Sequence, residues 1–511
     1  MNPLLLTDGY KTGHHLQYPK GTTLVYSNFT PRSNKYAPKG CDQVVSFGQQ
    51  MVMKQIHEAF QNEFFSKPKE DVCGEMKREL SMYLGTDYDV THFEKLHDLG
   101  YLPIHVKGIE EGTLVPMKVP VLTIYNTHPD FYWVTNYLET ILSNLLWKPM
   151  TSATIAHQYR KVLTKWQEKT DAEKGWFIDW QGHDFSMRGM DSVEAVISSG
   201  LGHLTSFSGT DSLPTIHGAR KFYGEEGFVG GSVNATEHSV MCAGGADDEV
   251  GTFRRLLETY PTGILSVVSD TWDLWKVCTE HVVTLKEEIL ARDGKLVIRP
   301  DSGDPVDIIC GVGFKYKKHS DGGEEYSIPE AKGVIELLWD VFGGTINEQG
   351  YKVLDSHIGA IYGDSITIDR AEEICKRLEA KGFASTNIVL GVGSFTYQFN
   401  TRDTFGFAMK ATYVELEVPM FGEFADQGLN TEIVGREIFK DPITDDGTKK
   451  SATGLLYVED GGDCSLDVCA SLKLFDKVDW KKESQGLLRT IYKDGEFQNT
   501  TTLTEIRNRL K

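Results

Sequence analysis

The sequence predicts an α/β protein, with a (β/α) barrel-like central domain and an additional mixed, antiparallel β domain built from the N- and C-terminal segments. Three observations predict it. From about residue 151 a unit recurs, made of a short apolar strand, a polar loop and an amphipathic helix, and such alternation builds parallel sheets. Ahead of it, Tyr101 to Tyr125 alternates apolar residues with Gly and Pro, which reads as strands of an antiparallel layer. Four successive strands of the recurring unit are each followed within a few residues by an aspartate: Asp211, Asp270, Asp301 and Asp364.

Residues 1–150 form a mixed region. Val25-Tyr26-Ser27-Asn28-Phe29 and Val44-Val45-Ser46-Phe47 read as strands, and Gln49 to Phe65 and Tyr132 to Leu146 as amphipathic helices. Residues 151–410 form the barrel-like domain, opening on a helix from Ser152 to Gln167. Leu204 to Phe207 reads as a strand, followed by Ser208-Gly209-Thr210-Asp211 and a helix to Tyr223 that Gly224 can cap. Ile264 to Val268 is a strand leading through Ser269-Asp270-Thr271 into a long helix ending near Arg292. Leu296 to Ile298 is a buried strand that breaks at once into Arg299-Pro300-Asp301-Ser302-Gly303, a tight loop. Ile358 to Tyr362 precedes Gly363-Asp364 and a helix from about Ile368 to Ala380. Asn387 to Val392 precedes Gly393-Ser394. Two insertions interrupt the pattern: Phe314 to Ile328, with Asp321-Gly322-Gly323 at its centre, reads as a β-hairpin, and Met420 to Asp463, rich in Gly, Asp and Lys, reads as surface loops. Residues 411–511 pack with the N-terminal β layer, turn at Lys493-Asp494-Gly495 and end in a helix.

Composition bounds the function. With 511 residues, 40% of them hydrophobic and with 9 Trp, 21 Tyr and 25 Phe, the chain can build the packed core of a globular enzyme. The formal net charge of −20 argues against a nucleic-acid surface. An anionic substrate is then held by local Arg and Lys against that global field. No apolar run approaches the roughly 20 residues of a membrane helix, and Met1 to Lys11 shows no signal peptide. The 8 Cys are scattered without a CxxC pair, which points to reduced thiols and a cytoplasmic protein.

The chemistry concentrates where strands end. In a sheet of parallel strands alternating with helices, ligands bind at the carboxyl ends of the strands. Arg299 offers a planar fork suited to phosphate, Asp301 offers acceptors suited to sugar hydroxyls, and Ser302 and Gly303 let backbone approach a ligand. Each Asp alone is also a good helix cap or turn former. In His183-Asp184-Phe185-Ser186-Met187-Arg188-Gly189, Phe185 can supply a flat apolar wall and Arg188 a phosphate ligand. On their own these two residues read rather as a core Phe beside a surface Arg. The Gly-rich turn Gly230-Gly231-Ser232 leads to Thr236-Glu237-His238, where His238 is placed to act as nucleophile or general base. Arg402, in Thr401-Arg402-Asp403, can hold phosphate from the side opposite Arg299.

Taken together these motifs resemble the nicotinamide phosphoribosyltransferases, of the type II phosphoribosyltransferase family. The resemblance rests on Leu6-Thr7-Asp8-Gly9-Tyr10-Lys11, His183 to Gly189, Ser208-Gly209-Thr210-Asp211, Thr236-Glu237-His238-Ser239, Val267-Val268-Ser269-Asp270, Ile298 to Gly303, Tyr362-Gly363-Asp364, Thr401-Arg402-Asp403, Ile491 to Gly495 and Glu505-Ile506-Arg507. It runs in order over nearly the whole chain. It implies transfer of a phosphoribosyl group from phosphoribosyl pyrophosphate to nicotinamide, a step of NAD biosynthesis, by a homodimer with shared active sites. Mg2+ would accompany the pyrophosphate, with no residue assigned as its direct ligand. ATP would couple through a phosphohistidine at His238 without being strictly required. By the same resemblance Phe185 and a partner's Tyr10 sandwich the pyridine, and Asp211 accepts from the carboxamide. Arg299, Asp301, Gly363 and Asp364 line the ribose and its phosphate, and Arg188 meets the pyrophosphate or the amide. Arg32 and Arg402, with Lys440 or Lys449, grip phosphates, Ser232 and Ser394 complete the substrate contacts, and Asp270 orients His238 or the sugar. Some members carry a longer Gly run after the position of Gly393-Ser394, where this chain has Phe395-Thr396-Tyr397. The alternatives are a nicotinate phosphoribosyltransferase and a non-catalytic ligand-binding homologue.

Overall fold

The computed structural model describes residues 1–313, 328–419, 431–441, 443–444, 452–462 and 472–511. The chain divides into two compact units, one of Met1–Thr154, Ala219–Glu225 and Asn400–Lys511, the other of Ile155–Gly218 and Glu226–Phe399.

The first unit is built on a seven-stranded antiparallel sheet. Its strand order is Thr431–Glu437, Ala408–Pro419, Thr22–Thr30, Leu122–Asn126, Ile104–Ile109, Leu488–Lys493 and Glu496–Phe497, so N- and C-terminal segments interleave. Tyr26 faces Tyr413 on one side and Tyr125 on the other. The buried Lys107 ammonium donates to the Glu483 carboxylate at 2.9 Å, and the Tyr26 hydroxyl donates to the same carboxylate. The turn at Asp494-Gly495 takes two consecutive left-handed residues, φ 51° and 96°, and the chain closes on the helix Leu503–Leu510, whose Thr502 and Glu505 form a capping box.

The second unit carries a seven-stranded parallel sheet in the order Gly209–Thr210, Gly182–Asp184, Ile388–Val392, Ile358–Tyr362, Asp293–Arg299, Thr262–Val268 and Asn234–Ala235. A parallel bridge between Gly209 and Gly231 brings the two edges back together, giving the barrel-like form. Alternation along each strand sends one set of side chains outward to the helices. Leu265, Val267, Leu296 and Ile298 thus join Tyr159, Ile374 and Leu378 in one buried core.

Several expectations change. Leu204 to Phe207 is not a strand: Leu204 closes the helix Val193–Leu204, and the strand is the two residues Gly209–Thr210. A four-residue apolar run has no period long enough to separate the two states, and both Leu204 and Phe207 are buried either way. The long helix expected up to Arg292 is broken into Leu274–Lys276, a wide turn Val277–His281, Val282–Thr284 and Lys286–Leu290. Its many β-branched residues crowd a regular helix. The helices expected at Tyr132 to Leu146 and Ser152 to Gln167 are Val134–Tyr137 and one continuous Glu139–Thr170 with Pro149 inside. Within Met420 to Asp463, the described residues hold the strands Thr431–Glu437 and Leu455–Asp460 rather than loops alone. Thr431–Glu437 is exposed along its whole length at a sheet edge, so it carries no hydrophobic alternation to read. The hairpin expected from Phe314 lies outside the described residues, except that Ile328 starts the helix Ile328–Lys332.

Burial pushes three imidazoles down from their ordinary 6.5: His92 to about 3, His105 to about 4 and His157 to about 4. Each takes up a proton on unfolding, so the stability it confers is present above about pH 6.5 and is lost as pH falls towards the folded value. The melting temperature is therefore expected to drop between about pH 6.5 and 4, and a flat profile over that window would contradict this reading.

Candidate active site

The loops at the carboxyl ends of the parallel strands converge. The strand Gly182–Asp184 and the residue after it send His183 and Phe185 to one face and Asp184 to the other. Asp184 is fully buried and accepts from Ser186 N at 2.9 Å and from the Ser212 hydroxyl at 3.2 Å, which stitches this loop to the next. His183 and Phe185 line a cavity of about 710 Å3, together with Trp180, Ser232, Lys295 and Arg299. That size suits a small-molecule site.

Asp211 follows the neighbouring strand. His183 Nε2 lies 2.9 Å from Asp211 Oδ1. Burial would raise the Asp211 carboxyl, but hydrogen bonds from His183 and Ser232 and the charges of His183 and Arg299 outweigh it and hold it below its ordinary value. It is therefore an ionised acceptor at neutral pH.

Arg299 ends the strand Asp293–Arg299, with its guanidinium 5.5 Å from the centre of the Phe185 ring. Its Nε is buried and has no hydrogen-bond partner among the described residues. A buried guanidinium N–H without a partner is a donor waiting for an acceptor. Gly363 donates its N–H to Pro300 O and leaves little room for a side chain: a Cβ there would lie 3.1 Å from Asp301 Cβ and 3.3 Å from Arg299 Nε. Asp364 is exposed beside Gly393, and Ser365 turns the chain immediately after it at φ 60°. A non-glycine residue in that conformation is a local strain of the kind found at ligand sites.

His238 opens the helix His238–Gly244. The segment before it is tied to the sheet, since Thr236 N donates to Ser266 O and its hydroxyl accepts from Val268 N. His238 Nδ1 is 3.1 Å from Thr271 Oγ1, and Nε2 is 3.2 Å from Asp301 Oδ1 and 3.9 Å from Asp270 Oδ1. Asp270 Oδ2 accepts from Asp301 N at 2.9 Å and Ser302 N at 2.8 Å, fixing the loop after Arg299. Its Oδ1 is buried without a partner among the described residues. One imidazole nitrogen and two carboxylate oxygens thus lie within 4.8 Å of one another, a donor set that fits a divalent cation.

The structure therefore gathers His183, Phe185, Asp211, Ser232, Arg299, Asp301, Gly363, His238 and Asp270 in the second unit. Ser394 packs against Gly189, next to the exposed Arg188. Tyr10, Arg32 and Arg402 belong to the first unit. Tyr10 is 66% exposed, with Lys11 5.5 Å from its ring. Burial, and then the charges of Arg32, Lys440 and Arg402 against the pull of Glu139, hold the Lys410 ammonium below its ordinary value. Glu139, together with Asp8, also acts on Tyr10, whose hydroxyl is held above its ordinary value by burial first and then by these charges. Lys449 lies outside the described residues. Lys410 and Thr271 carried no sequence signal. His183 did carry one, because a residue two before Phe185 on a strand shares its face.

The model of the nicotinate phosphoribosyltransferase family matches residues 180–496, and that of the nicotinamide phosphoribosyltransferase N-terminal domain matches residues 2–80. The chain is 48% identical over 522 residues to nicotinamide phosphoribosyltransferase of Acinetobacter baylyi, covering 100% of this chain and 97% of the relative. It is 36% identical over 472 residues to the protein of that name from Mycoplasma pneumoniae, covering 88% and 94%. Human nicotinic acid phosphoribosyltransferase superposes with a TM-score of 0.53 at 15% identity, over 99% of this chain and 92% of that one. Nicotinate-nucleotide pyrophosphorylase of Pyrococcus furiosus does so at 0.51 and 15%, over 100% and 95%. At that identity the two structures speak for the fold alone.

Proposed function

The chain belongs to the nicotinate phosphoribosyltransferase family and carries the N-terminal domain of nicotinamide phosphoribosyltransferases, and from that premise we propose that it transfers the 5-phosphoribosyl group of phosphoribosyl pyrophosphate to nicotinamide. The products are nicotinamide mononucleotide and pyrophosphate, in NAD biosynthesis. One observation carries the choice of acceptor: Asp211, kept ionised, is bonded to two residues of the cavity that Phe185 and Arg299 also line. A carboxylate there accepts a hydrogen bond from a carboxamide and repels a carboxylate. This disfavours nicotinate as the substrate.

The bond from the ribose anomeric carbon to pyrophosphate breaks, and its electron pair leaves with the pyrophosphate. The pyridine nitrogen forms the new bond with its own lone pair, so no protein base removes a proton. What the protein supplies is position and charge. Phe185 stacks on the pyridine ring, Arg299 places its unpartnered N–H on phosphate oxygen, and Asp301, Gly363 and Asp364 hold the ribose. Mg2+ would neutralise the departing pyrophosphate, and Asp270 and Asp301, with the buried unpartnered Asp270 Oδ1, suit it as ligands. His238 is the acceptor of a phosphoryl group from ATP: an imidazole nitrogen attacks the terminal phosphorus and ADP leaves. The exposure of His238 and its hold by Thr271 and Asp301 support this role. The enzyme works as a homodimer, in which Tyr10 of a second copy completes each site, and Arg32 and Arg402 grip phosphates. Cys73, Cys242, Cys278, Cys310 and Cys375 are free thiols, which supports a reducing cytoplasm, and no described helix is long and apolar enough to cross a membrane.

Incubation with nicotinamide, phosphoribosyl pyrophosphate and Mg2+ is expected to release pyrophosphate and nicotinamide mononucleotide in equal amounts. Silence at every enzyme concentration would instead favour a non-catalytic ligand binder.

A further inference from the structure

His183 has so far been given no role towards the substrate, yet its ring is closely enclosed. Its side chain is 10% exposed. Its strand partner is Gly209, where a Cβ would come within 2.7 Å of His183 Nδ1. On its other side the Phe185 ring lies 4.5 Å away at 32°. The imidazole is thus wedged between a strand that must be glycine there and the aromatic wall of the cavity. From that position Nε2 reaches Asp211 Oδ1 at 2.9 Å. Asp211 takes one further side-chain hydrogen bond, from Ser232, but its side chain is still 42% exposed, in the loop between the strand Gly209–Thr210 and the helix Leu213–Tyr223.

We propose that His183 is a specificity-determining positioning residue, which pins Oδ1 of Asp211 so that the remaining lone pairs of the carboxylate face a carboxamide seated on Phe185. The inference rests on the reading of the protein as a nicotinamide phosphoribosyltransferase. A carboxylate on a surface loop rotates freely, and its bond to a ligand must first overcome that freedom. Pinning one oxygen with a wedged donor removes the cost before the substrate arrives. A carboxylate has about four acceptor positions, so the bond to His183 leaves room for the amide. One strand then reads both parts of the substrate, the ring through Phe185 and the amide through His183 and Asp211. Nicotinate has no N–H to offer, so it gains nothing from the pinned carboxylate and meets its charge in full.

The test compares kcat and KM for nicotinamide and for nicotinate in the wild type, His183→Ala and His183→Gln, under saturating donor and Mg2+. Gln places an N–H near the position of Nε2 and serves as the conservative rescue. The KM for nicotinamide is expected to rise about tenfold or more in His183→Ala, with a smaller change in kcat. The preference for nicotinamide over nicotinate is expected to shrink by a similar factor, and His183→Gln to recover most of both. Parallel losses for the two substrates in His183→Ala, with the preference intact, would overturn the inference and leave a purely structural histidine. So would a His183→Gln enzyme no better than His183→Ala. Should His183→Ala fold poorly, the comparison of His183→Gln with Asp211→Asn decides: the former is expected to keep the preference and the latter to lose it, and loss in both would refute the positioning role. A wild type inert towards nicotinamide would instead refute the functional reading on which the inference stands.

Discussion

Arg299→Ala is expected to lower kcat/KM for nicotinamide by about 10²- to 10³-fold with little change in melting temperature. The reasoning starts from an unpaired group. Arg299 Nε is buried without a partner among the described residues, while the backbone of the same residue is fixed by Ser269 N donating to Arg299 O. A guanidinium N–H left without a protein acceptor is expected to serve a bound anion rather than the fold. Removing it leaves no protein acceptor unsatisfied, so stability should be nearly unchanged. It also strips positive charge from the cavity wall proposed to meet the donor's phosphates. Arg299→Lys keeps the charge but loses the planar fork, and an intermediate loss is expected. Steady-state kinetics with the donor varied, beside a thermal melt, separate the two effects. Activity within twofold of wild type would show that the phosphates lie elsewhere.

His238→Ala is expected to abolish both incorporation of acid-labile phosphate from ATP and the ATP stimulation of turnover, while ATP-independent synthesis persists. The difference follows from the chemistry. Attack by the pyridine nitrogen needs no base, so loss of the imidazole leaves the transfer itself in place. Phosphoryl capture needs a nucleophilic nitrogen, and among the residues gathered in the second unit His238 is the exposed histidine, seated on Thr271 and Asp301. Radiolabel from terminal-labelled ATP, followed on acid treatment, reads the first effect, and product formation with and without ATP reads the second. ATP hydrolysis undiminished in the variant would remove His238 from the coupling.

Much of this arrangement was legible in the sequence. Each of Asp211, Asp270, Asp301 and Asp364 follows a strand of the parallel sheet, and the helix Ile368–Ala380 has the bounds expected of it, with Thr367 capping its start. Elements with a clean period and a capping residue can be read locally. What stayed hidden depends on partners distant in the chain. His183 and Asp211 are 28 residues apart, and only the parallel pairing of His183 with Gly209 brings them together. Lys410 reads as a single cation on a strand until folding buries it and brings it within the electrostatic reach of Arg32, Lys440 and Arg402. Leu204 to Phe207 was misread because a short apolar run serves equally as the end of a buried helix. Thr431–Glu437 was missed because an exposed edge strand pairs through its backbone and leaves its side chains free to be polar.

The most direct test offers the enzyme nicotinamide and nicotinate together, at equal concentration, with phosphoribosyl pyrophosphate and Mg2+, and identifies the mononucleotide products by mass. An ionised Asp211 facing the acceptor predicts nicotinamide mononucleotide as the dominant product. Equal or greater formation of nicotinate mononucleotide would contradict it.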